Sequence, residues 1–481
     1  MTLAVIATFV LGYLAIVFEH PLRIDKTVPA LIMAAVAWAL ISLGHPPIYD
    51  DLGNLLPEAH GTQHALLHHV GKIAEILVFL IGAMTIIEFI DMHKGFGIIT
   101  DMIKTRKKSA LLWLIVWITF FLSSVLDNLT CTIVMVSLLK KLLDDREERL
   151  YFASIVIIAA NAGGAWSPIG DVTTTMLWNA DLVSSMALIA TLFLPSAVCT
   201  FVPALMLARL PIMQGEIAEK APAAELSDVK RANAKTMLII GISGLIFVPV
   251  FKTITHLSPY VGMMLALGVV WLVSDRLSAK KDTGRISKGR ASDTKLDILL
   301  DKPVDLHTHE EHPITAKYAL SKIDISSILF FLGILLTVAS LESLHVLKAF
   351  ATSLEGIFPA TKEMMPFTTG ADVIAILLGY GSAVVDNVPL VAAAQGMYNT
   401  TFPLDHKMWH LLAYTAGTGG SMLVIGSAAG VAAMGMENID FMWYFRKIAF
   451  PTMVGFLMGA IVFLVTYPAI SGMLGLSVSV N

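Results

Sequence analysis

The sequence predicts an all-α polytopic membrane protein with two inverted-topology repeats, about ten full transmembrane crossings, two re-entrant hairpins and two broken helices. Three observations predict this fold class. Of the 481 residues, 56% are hydrophobic and only 15% are charged, whereas about a quarter of the residues in soluble proteins are charged. Apolar runs long enough to cross a ~30 Å hydrocarbon core as helices recur along the chain. Motifs of the first half return in the same order in the second half.

Loop charge predicts the orientation of the chain, because Lys and Arg are concentrated in cytoplasmic loops. The first apolar run, residues 1–18, lacks a basic segment and a cleavage site, so we interpret it as a retained helix. Arg23 and Lys26 mark the first inner loop, whereas residues 44–70 contain no Lys or Arg and are expected outside. We therefore expect a multi-pass protein of the bacterial inner membrane with both termini on the outer, periplasmic side.

The first repeat is assigned to residues 1–212 and contains a cytoplasmic-side hairpin at 109–143. The apolar stretch of this hairpin is interrupted by Asp127 and Asn128 and has basic residues on both flanks. Each arm has roughly 15 residues, which is too short for comfortable spanning. The segment is therefore expected to dip into the membrane and return to the same side.

The second repeat is assigned to residues 236–481, after a charged cytoplasmic linker at 213–235. It is expected to contain a cytoplasmic loop at 276–325, which is rich in Lys and Arg, and an outer-side hairpin at 367–400. Five full crossings and one hairpin are expected in each half. Because five is an odd number, the second half is inverted relative to the first.

Self-similarity supports the inversion independently of charge. The segment Ser-Ser-Val-Leu-Asp-Asn at 123–128 corresponds to Ser-Ala-Val-Val-Asp-Asn at 382–387, at an offset of 259 residues. The glycine-containing segment 161–170 corresponds to 417–426, at an offset of 256 residues. Interrupted segments at corresponding positions of two halves are the best sequence indication of a transporter's binding site.

Carboxylates at these interruptions predict a cation site. Asp127 lies inside an apolar stretch, where a charged side chain costs about 2.5–3.5 kcal/mol. Asp386 repeats it, and Asp171 follows a glycine-containing break. Capping of the following helix is an alternative role for Asp127 and Asp386. Three carboxylates at one midplane cavity favour a cation, and protonation would compete with that cation.

Hard cations select oxygen ligands. The candidate ligands in the four breaks are Asp127, Asn128, Asp171, Thr173, Thr174, Asp386, Asn387, Ser421 and Ser427, with Na⁺ expected at Asp127, Asn128, Asp171, Asp386 and Asn387. Further break residues expected to shape the site are Ser167, Pro168, Gly170, Ser382, Pro389 and Gly426. The hydroxyl and amide residues have the alternative role of packing transmembrane helices together.

The segments 123–130, 161–175 and 382–389 resemble those of NhaD-type sodium/proton antiporters, which belong to the ion transporter superfamily, and the similarity covers nearly the whole chain. The resemblance implies inverted repeats, two opposed hairpins, a homodimer and an elevator-like moving domain. It also implies ion-site roles for a set of break residues, namely Asp127, Asn128, Asn161, Asp171, Thr173, Thr174, Asp386 and Asn387. Four glycines would shape the breaks: Gly163, Gly164, Gly419 and Gly420.

The expected function is secondary active exchange of Na⁺ for H⁺ by alternating access, with Li⁺ as a further candidate cation. Ser427 stands where the first half has Asp171, so the first half is expected to dominate ion binding. The sequence contains no phosphate-binding Gly-x-x-x-x-Gly-Lys-Ser/Thr motif. We expect no enzymatic activity, no cofactor and no nucleic-acid partner; the partners are inorganic cations, protons and the lipid bilayer.

Two other functions are compatible with the same architecture. An anion or dicarboxylate carrier of the same superfamily is the first alternative, and Asp127 and Asp386 at the two hairpins argue against it. A cation channel is the second alternative. Two opposed hairpins favour gated alternating access over a continuous pore, and saturating, counter-ion-dependent flux would separate a carrier from a channel.

Overall fold

The computed structural model describes residues 1–50, 54–57, 61–101, 103, 105–217, 228–288, 315–359, 362–365, 368–384 and 386–476. Within these ranges the chain is helical apart from its loops and one two-stranded antiparallel sheet. Seven of the described helices are long and apolar enough to cross a membrane. The prediction of a polytopic helical membrane protein is confirmed at this level.

Ten α-helices occur in the described part of the first half. They are α1 (Thr2–Val17), α2 (Glu19–Leu22), α3 (Thr27–Gly44), α4 (Gly61–Met92), α5 (Gly97–Asp101), α6 (Lys108–Ser123), α7 (Asn128–Leu142), α8 (Arg146–Ala165), α9 (Val172–Asn179) and α10 (Ser185–Ala208). Helices α6 and α7 are the two arms of the predicted first hairpin. Helices α8 and α9 are separated by the predicted glycine-containing break.

The described part of the second half contains eleven helices and the small sheet. They are α11 (Asp228–Thr255), α12 (Pro259–Lys288), α13 (Ala316–Lys322), α14 (Ile325–Ser343), α15 (Val346–Ile357), β1 (Glu363–Met365), β2 (Thr368–Thr369), α16 (Gly370–Ser382), α17 (Asn387–Tyr398), α18 (Lys407–Gly419), α19 (Ala428–Glu437), α20 (Phe441–Lys447) and α21 (Ala449–Leu474). Helices α16 and α17 are the arms of the predicted second hairpin, and α18 and α19 flank the second break.

Some element boundaries differ from the sequence expectation. Helix α12 continues to Lys288, so the predicted loop at 276–325 begins as helix, and α11 begins inside the predicted linker at 213–235. Residues 276–288 contain no proline and are mostly good helix formers, so the helix extends past its apolar stretch. Residues 289–314 lie outside the described part of the chain. Helix α15 and β1 occupy a stretch for which no element is predicted, and β2 falls at the start of the hairpin predicted at 367–400.

The helices pack in two groups. In one group, α6 packs on α8, α16 packs on α18, α7 packs on α8 and α19, and α10 runs along α21. In the other group, α3 packs on α1 and α14, α11 packs on α12, and α12 packs on α4. The first group contains the first hairpin, the first arm of the second hairpin and both broken helices, whereas the second arm, α17, packs on α14 of the other group as well as on α9 and α18. We call the first group the core group, and we call the second the flanking group.

An ion pair marks the entrance of each hairpin. Lys108 at the start of α6 pairs with Glu148 in the first turn of α8. Asp372 in the first turn of α16 pairs with Lys407 at the start of α18, with Nζ 2.7 Å from Oδ2. The two pairs occupy corresponding places and have opposite polarity. Each pair fixes a hairpin against the broken helix that follows it.

Candidate functional site

The turn of each hairpin is tied to a broken helix by a serine hydroxyl. Ser123 Oγ donates to the carbonyl oxygen of Ala160 at 2.6 Å. Ser382 Oγ, its counterpart in the second half, donates to the carbonyl oxygen of Ala416 at 2.9 Å. Both hydroxyls are buried, and each binds a carbonyl in the last two turns of a half-helix.

Glycine is required where the hairpin arms approach the broken helices. A Cβ atom on Gly163 would lie 2.3 Å from the carbonyl oxygen of Phe120 in α6. A Cβ atom on Gly419 would lie 2.1 Å from the carbonyl oxygen of Gly379 in α16. Real Cβ atoms essentially never come this close to another heavy atom. The backbones of hairpin and broken helix therefore touch directly in both halves.

Each break ends at a side chain that caps the next half-helix. Asp171 precedes α9, and its Oδ1 accepts a hydrogen bond from the Thr173 amide at 3.1 Å. Ser427 precedes α19, and its Oγ accepts a hydrogen bond from the Gly430 amide at 3.1 Å. Capping satisfies amides that have no partner within the helix. The two breaks share this geometry, but only the first places a carboxylate there.

Asp171 is the centre of a buried polar cluster. Its side chain is 2% exposed, and its Oδ2 accepts from Nδ2 of Asn128 at 3.3 Å and from Nδ2 of Asn387 at 3.4 Å. These two asparagines are the repeated residues at the start of α7 and α17. Both hairpins therefore present the same amide to one carboxylate. The contacts are long for hydrogen bonds to a charged acceptor, which are typically about 2.7–2.9 Å.

Asn161 connects the two breaks. Its Oδ1 accepts from Asn128 Nδ2 at 2.9 Å, and its Nδ2 donates to Ser421 Oγ and to Ser427 Oγ, each at 2.9 Å. The residue is fully buried. Its two amide hydrogens bind serines of the second break, and its oxygen accepts from the first hairpin, so this one side chain links the first hairpin and both breaks.

Asp127 caps α7 and lines a cavity beside Asp171. Its Oδ1 accepts from the Thr130 amide at 2.8 Å, and its Oδ2 accepts from Thr130 Oγ1 at 2.7 Å. Capping, the alternative role for this residue, is therefore present in the structure. The side chain still contributes to the wall of the cavity that Asp171 and Asn128 line.

Asp386 is placed differently from the other two aspartates. Its Oδ2 lies 3.0 Å from Nζ of Lys26, and its Oδ1 accepts from the Val388 amide at 3.5 Å. Loop charge predicts that Lys26 belongs to an inner loop. The structure directs its ammonium group to the carboxylate at the second hairpin, a contact that spans 360 residues of sequence. Asp386 therefore has a cationic partner.

Two cavities meet at this place. The smaller has a volume of about 50 Å³ and is lined by Lys26, Asp127, Asn128 and Asp171 together with mostly apolar residues. A cavity of that size has room for a few water-sized particles. The larger has a volume of about 800 Å³. We call the first the ion cavity and the second the vestibule. The residues that line both are Lys26, Met84, Leu129, Ser327 and Ala428.

The remaining predicted residues surround the first break. Thr173 Oγ1 is buried without a hydrogen-bond partner among the described residues. Thr174 Oγ1 donates to the Asp171 carbonyl oxygen at 2.9 Å. Ser167 Oγ accepts from the Ile169 amide at 3.4 Å, and the Pro168 carbonyl accepts from a threonine of α9. A buried hydroxyl oxygen of this kind is a donor that a hard cation could use.

Other site-shaping residues take part in the packing of the breaks. A Cβ atom on Gly164 would lie 2.4 Å from the Gly170 carbonyl oxygen, and one on Gly420 would lie 2.6 Å from the Gly426 carbonyl oxygen. The same close approach therefore occurs within both breaks. Pro389 lies in the first turn of α17, where a missing amide hydrogen costs little.

The carboxylates near the cluster do not form a protein metal centre. Among the described ranges, no group of three or more His, Cys, Asp or Glu residues could hold a metal ion. An ion in the cavity would instead be bound by carboxylate, amide and hydroxyl oxygens. That donor set suits a hard cation that must also leave again.

The sequence profile of the family described as citrate transporter (CitMHS) matches residues 13–413. Sodium/proton antiporter 1 of Arabidopsis thaliana is 43% identical over 464 residues, which cover 95% of this chain and 71% of that protein. Sodium/proton antiporter 2 of the same plant is 40% identical over 461 residues, covering 95% and 98%. The Na(+)/H(+) antiporter NhaD of Alkalimonas amylolytica is 30% identical over 442 residues, covering 90% and 84%.

Proposed function

Because this chain belongs to the CitMHS family and to the same protein family as the sodium/proton antiporters named NhaD, we propose that it exchanges Na⁺ for H⁺ across a membrane by alternating access. The observation that carries the proposal is the buried carboxylate of Asp171, which meets one amide from each hairpin and faces the ion cavity. Sodium and a proton would use this carboxylate in alternation.

The charge of the cavity supports a cation as the cargo. Lys26 is the one cationic residue in the described lining of the ion cavity, and it is paired with Asp386. The carboxylates of Asp127 and Asp171 remain in excess. A multivalent anion such as citrate would meet these carboxylates in a cavity of about 50 Å³. Charge and volume both oppose it, although the family profile is described as citrate transporter.

Exchange follows from competition for one charge. A protonated Asp171 offers little to compensate a cation for its lost hydration, and a sodium-loaded Asp171 cannot hold a proton. An empty, ionised site is costly to move past the hydrophobic barrier, whereas a loaded site is nearly neutral. Only loaded forms would therefore move the site from one side of the membrane to the other, and Na⁺ would be exchanged for protons.

The decisive variant is Asp171→Asn. Asparagine caps helices as well as aspartate does, so the bond to the Thr173 amide can persist while the charge is lost. In everted vesicles with an imposed pH gradient, we expect Na⁺ to dissipate the gradient in the parent protein and to have no effect in Asp171→Asn. Asp440→Asn is the matched control, because Asp440 is also a helix cap and lies away from the site. Retained antiport in Asp171→Asn would refute the proposal.

A parallel assay separates the alternatives. Vesicles containing the parent protein are tested for uptake of radiolabelled citrate and for saturation of Na⁺-dependent proton flux. We expect no citrate uptake and a saturable flux that requires a counter-ion. Citrate uptake that Asp171→Asn leaves unchanged would favour the anion carrier, and flux that fails to saturate would favour a channel.

We also propose that residues 1–212 and 236–481 are inverted repeats joined by the linker at 213–235. The paired contacts of Ser123 and Ser382, the paired glycine contacts and the opposite ion pairs at the hairpin entrances support this organisation. The first hairpin would then enter from the inside and the second from the outside. A homodimer with a moving core group is proposed on the same family basis.

The chain is a multi-pass membrane protein by its helices. Its placement in a bacterial inner membrane, with both termini outside, stays a proposal, and two of the relatives with high identity are plant proteins. Reactivity of single cysteines introduced near each terminus toward an impermeant reagent, in intact cells and in everted vesicles, tests the orientation. Labelling of both termini from the outside is expected.

A further inference from the structure

Lys26 brings a positive charge to a site that would bind a cation. Its Nζ lies 3.0 Å from Asp386 Oδ2, and the two side chains are 24% and 13% exposed. The ammonium group also lies 4.4 Å from the centroid of the Phe330 ring. Lysine is rarely buried to this degree unless it is paired. The contact is therefore a partly desolvated ion pair, and its location indicates its role.

That place is the junction of the ion cavity and the vestibule. Lys26 is one of five residues that line both spaces. Asn387, the residue after Asp386, donates to Asp171 Oδ2 at 3.4 Å. The ion pair is thus one residue away from the central carboxylate. A cation that enters from the vestibule crosses the rim to which Lys26 contributes the charged side chain.

The pair also joins the start of a flanking-group helix to the second hairpin. Lys26 is the N-cap residue of α3, without a side-chain capping bond, and Asp386 caps α17, which packs on α14 as well as on α9 and α18. Movement of the second hairpin relative to α3 would have to separate these two side chains. The pair can persist only in those states of the transport cycle in which α3 and the second hairpin are close.

We propose that Lys26 is a tethered counter-ion. Its ammonium group neutralises Asp386 while the ion cavity is free of Na⁺, and Na⁺ that enters the cavity displaces the ammonium group from Asp386. This inference rests on the proposed Na⁺/H⁺ exchange and deepens it. Two cations that share one small cavity repel each other, and a partly desolvated site strengthens that repulsion relative to water. Sodium binding therefore releases the ammonium group, and sodium release restores the pair.

The vestibule offers the released ammonium group other partners. Its lining carries five carboxylates and one further lysine: Glu19, Asp25, Glu88, Asp91, Asp324 and Lys322. A flexible lysine side chain that turns outward from Asp386 would enter a space dominated by negative charge. Displacement therefore does not leave the ammonium group without a counter-ion, and the exchange of partners is reversible.

Neutralising Lys26 tests the proposal through the KM for Na⁺. In Lys26→Gln the competing cation is gone, so the KM for Na⁺ at alkaline pH should fall by roughly tenfold or more, because a unit charge a few ångström away has at least that effect at a partly buried site. Lys26→Arg keeps the charge and should stay within about threefold of the parent. Lys322→Gln is the matched control, since Lys322 lines the vestibule but not the ion cavity.

A merely structural ion pair would give the opposite pattern. Loss of such a pair lowers expression and maximal rate and leaves the KM for Na⁺ unchanged or raised. A KM in Lys26→Gln that is equal to or above the parent value, in protein that is expressed and monodisperse, would overturn the proposal. A fall in KM that Lys322→Gln reproduces would also overturn it.

A second measurement needs no variant. The purified parent protein is treated with an amine-acetylating reagent in the presence of NaCl or of choline chloride, and acetylation is quantified by mass spectrometry. We expect Na⁺ to increase acetylation of Lys26 several-fold, because the released side chain turns into the vestibule, while Lys322 serves as the internal reference. Equal or lower acetylation of Lys26 in Na⁺ would refute displacement.

The two proposals fail in different ways. If Asp171→Asn retains antiport, the proposed exchange site is wrong whatever Lys26 does. Suppose that Asp171→Asn loses antiport, that Lys26→Gln has the parent's KM for Na⁺, and that Lys26 is acetylated equally in Na⁺ and in choline. The proposed exchange site then stands, and the proposed counter-ion role of Lys26 is wrong.

Discussion

Replacing Asn161 with alanine should damage both the stability of the core group and transport. The change removes one hydrogen bond from Asn128 and two to Ser421 and Ser427, all at 2.9 Å and buried. Hydrogen bonds in membrane proteins contribute on average about 0.6 kcal/mol, and those in soluble proteins about 1 kcal/mol. Three of them amount to about 2–3 kcal/mol, and the cavity left by the side chain adds to that loss.

The assay for Asn161→Ala combines thermal unfolding in detergent with Na⁺-dependent proton flux in vesicles. We expect a clearly lower unfolding temperature and at least about a tenfold loss of transport, because Asn128 loses the partner that positions it against Asp171. Asn399→Ala is the control, since Asn399 makes one partly buried hydrogen bond, to Glu342 at 3.2 Å, away from the cluster. An unchanged unfolding temperature together with unchanged Na⁺-dependent proton flux in Asn161→Ala would refute the role assigned to this residue.

Three further predictions concern the scaffold. Gly419→Ala should abolish folding or transport, because its Cβ would lie 2.1 Å from a backbone oxygen of α16. Gly268→Ala, whose Cβ would meet open space, should be tolerated. Expression level and Na⁺-dependent proton flux of the two variants test this prediction. Asp372→Asn should lower the free energy of unfolding by about 3 kcal/mol, measured by thermal unfolding, because it breaks the pair with Lys407, whose partner carboxylate is 1% exposed. Asp181→Asn breaks the pair with Lys252 at a 78% exposed carboxylate and should lower it by less than about 1 kcal/mol. Burial lowers the pKa of His406 to about 4, so the unfolded chain binds more protons between about pH 4 and 6.5 and stability falls as pH decreases through that range. His406→Asn, which can still cap α18, should reduce the loss of unfolding temperature between pH 7 and pH 5, and an unchanged loss would contradict it.

The interruptions of the hairpins could be predicted from the sequence. An Asp-Asn pair inside an apolar stretch combines a strong helix cap with a charge that lipid does not tolerate, and α7 and α17 do begin at Asn128 and Asn387. The glycine-containing breaks could also be predicted, because glycine permits backbones to approach closely. Both features depend on the chemistry of neighbouring residues, so the local sequence predicts them.

The division of labour within the Asp-Asn pairs could not be predicted. The sequence predicts the aspartate and the asparagine of each pair alike as Na⁺ ligands. In the structure, Asn128 and Asn387 contact Asp171, while Asp127 and Asp386 turn toward the amides at the start of their own helices. A capping side chain folds back on its own helix, so the next residue faces the neighbouring elements.

Long-range partners were also beyond the sequence. Loop charge places Lys26 in an inner loop, because basic residues near helix ends usually mark the cytoplasmic side. Nothing local indicates a partner 360 residues away. Only the family resemblance indicates an ion-site role for Asn161, and the second repeat has Gly417 at the corresponding position. Its contacts arise where the two breaks cross, and only the assembled fold brings the breaks together.

The central claim is that Na⁺ and H⁺ share the Asp171 carboxylate, and Na⁺-linked proton release from purified protein tests it most directly. Titrating NaCl into the protein in weakly buffered detergent solution, with choline chloride as the control, should release protons from the parent at a pH where Asp171 is protonated. Asp171→Asn should release none. Sodium binding without proton release, or equal release from Asp171→Asn, would contradict the account.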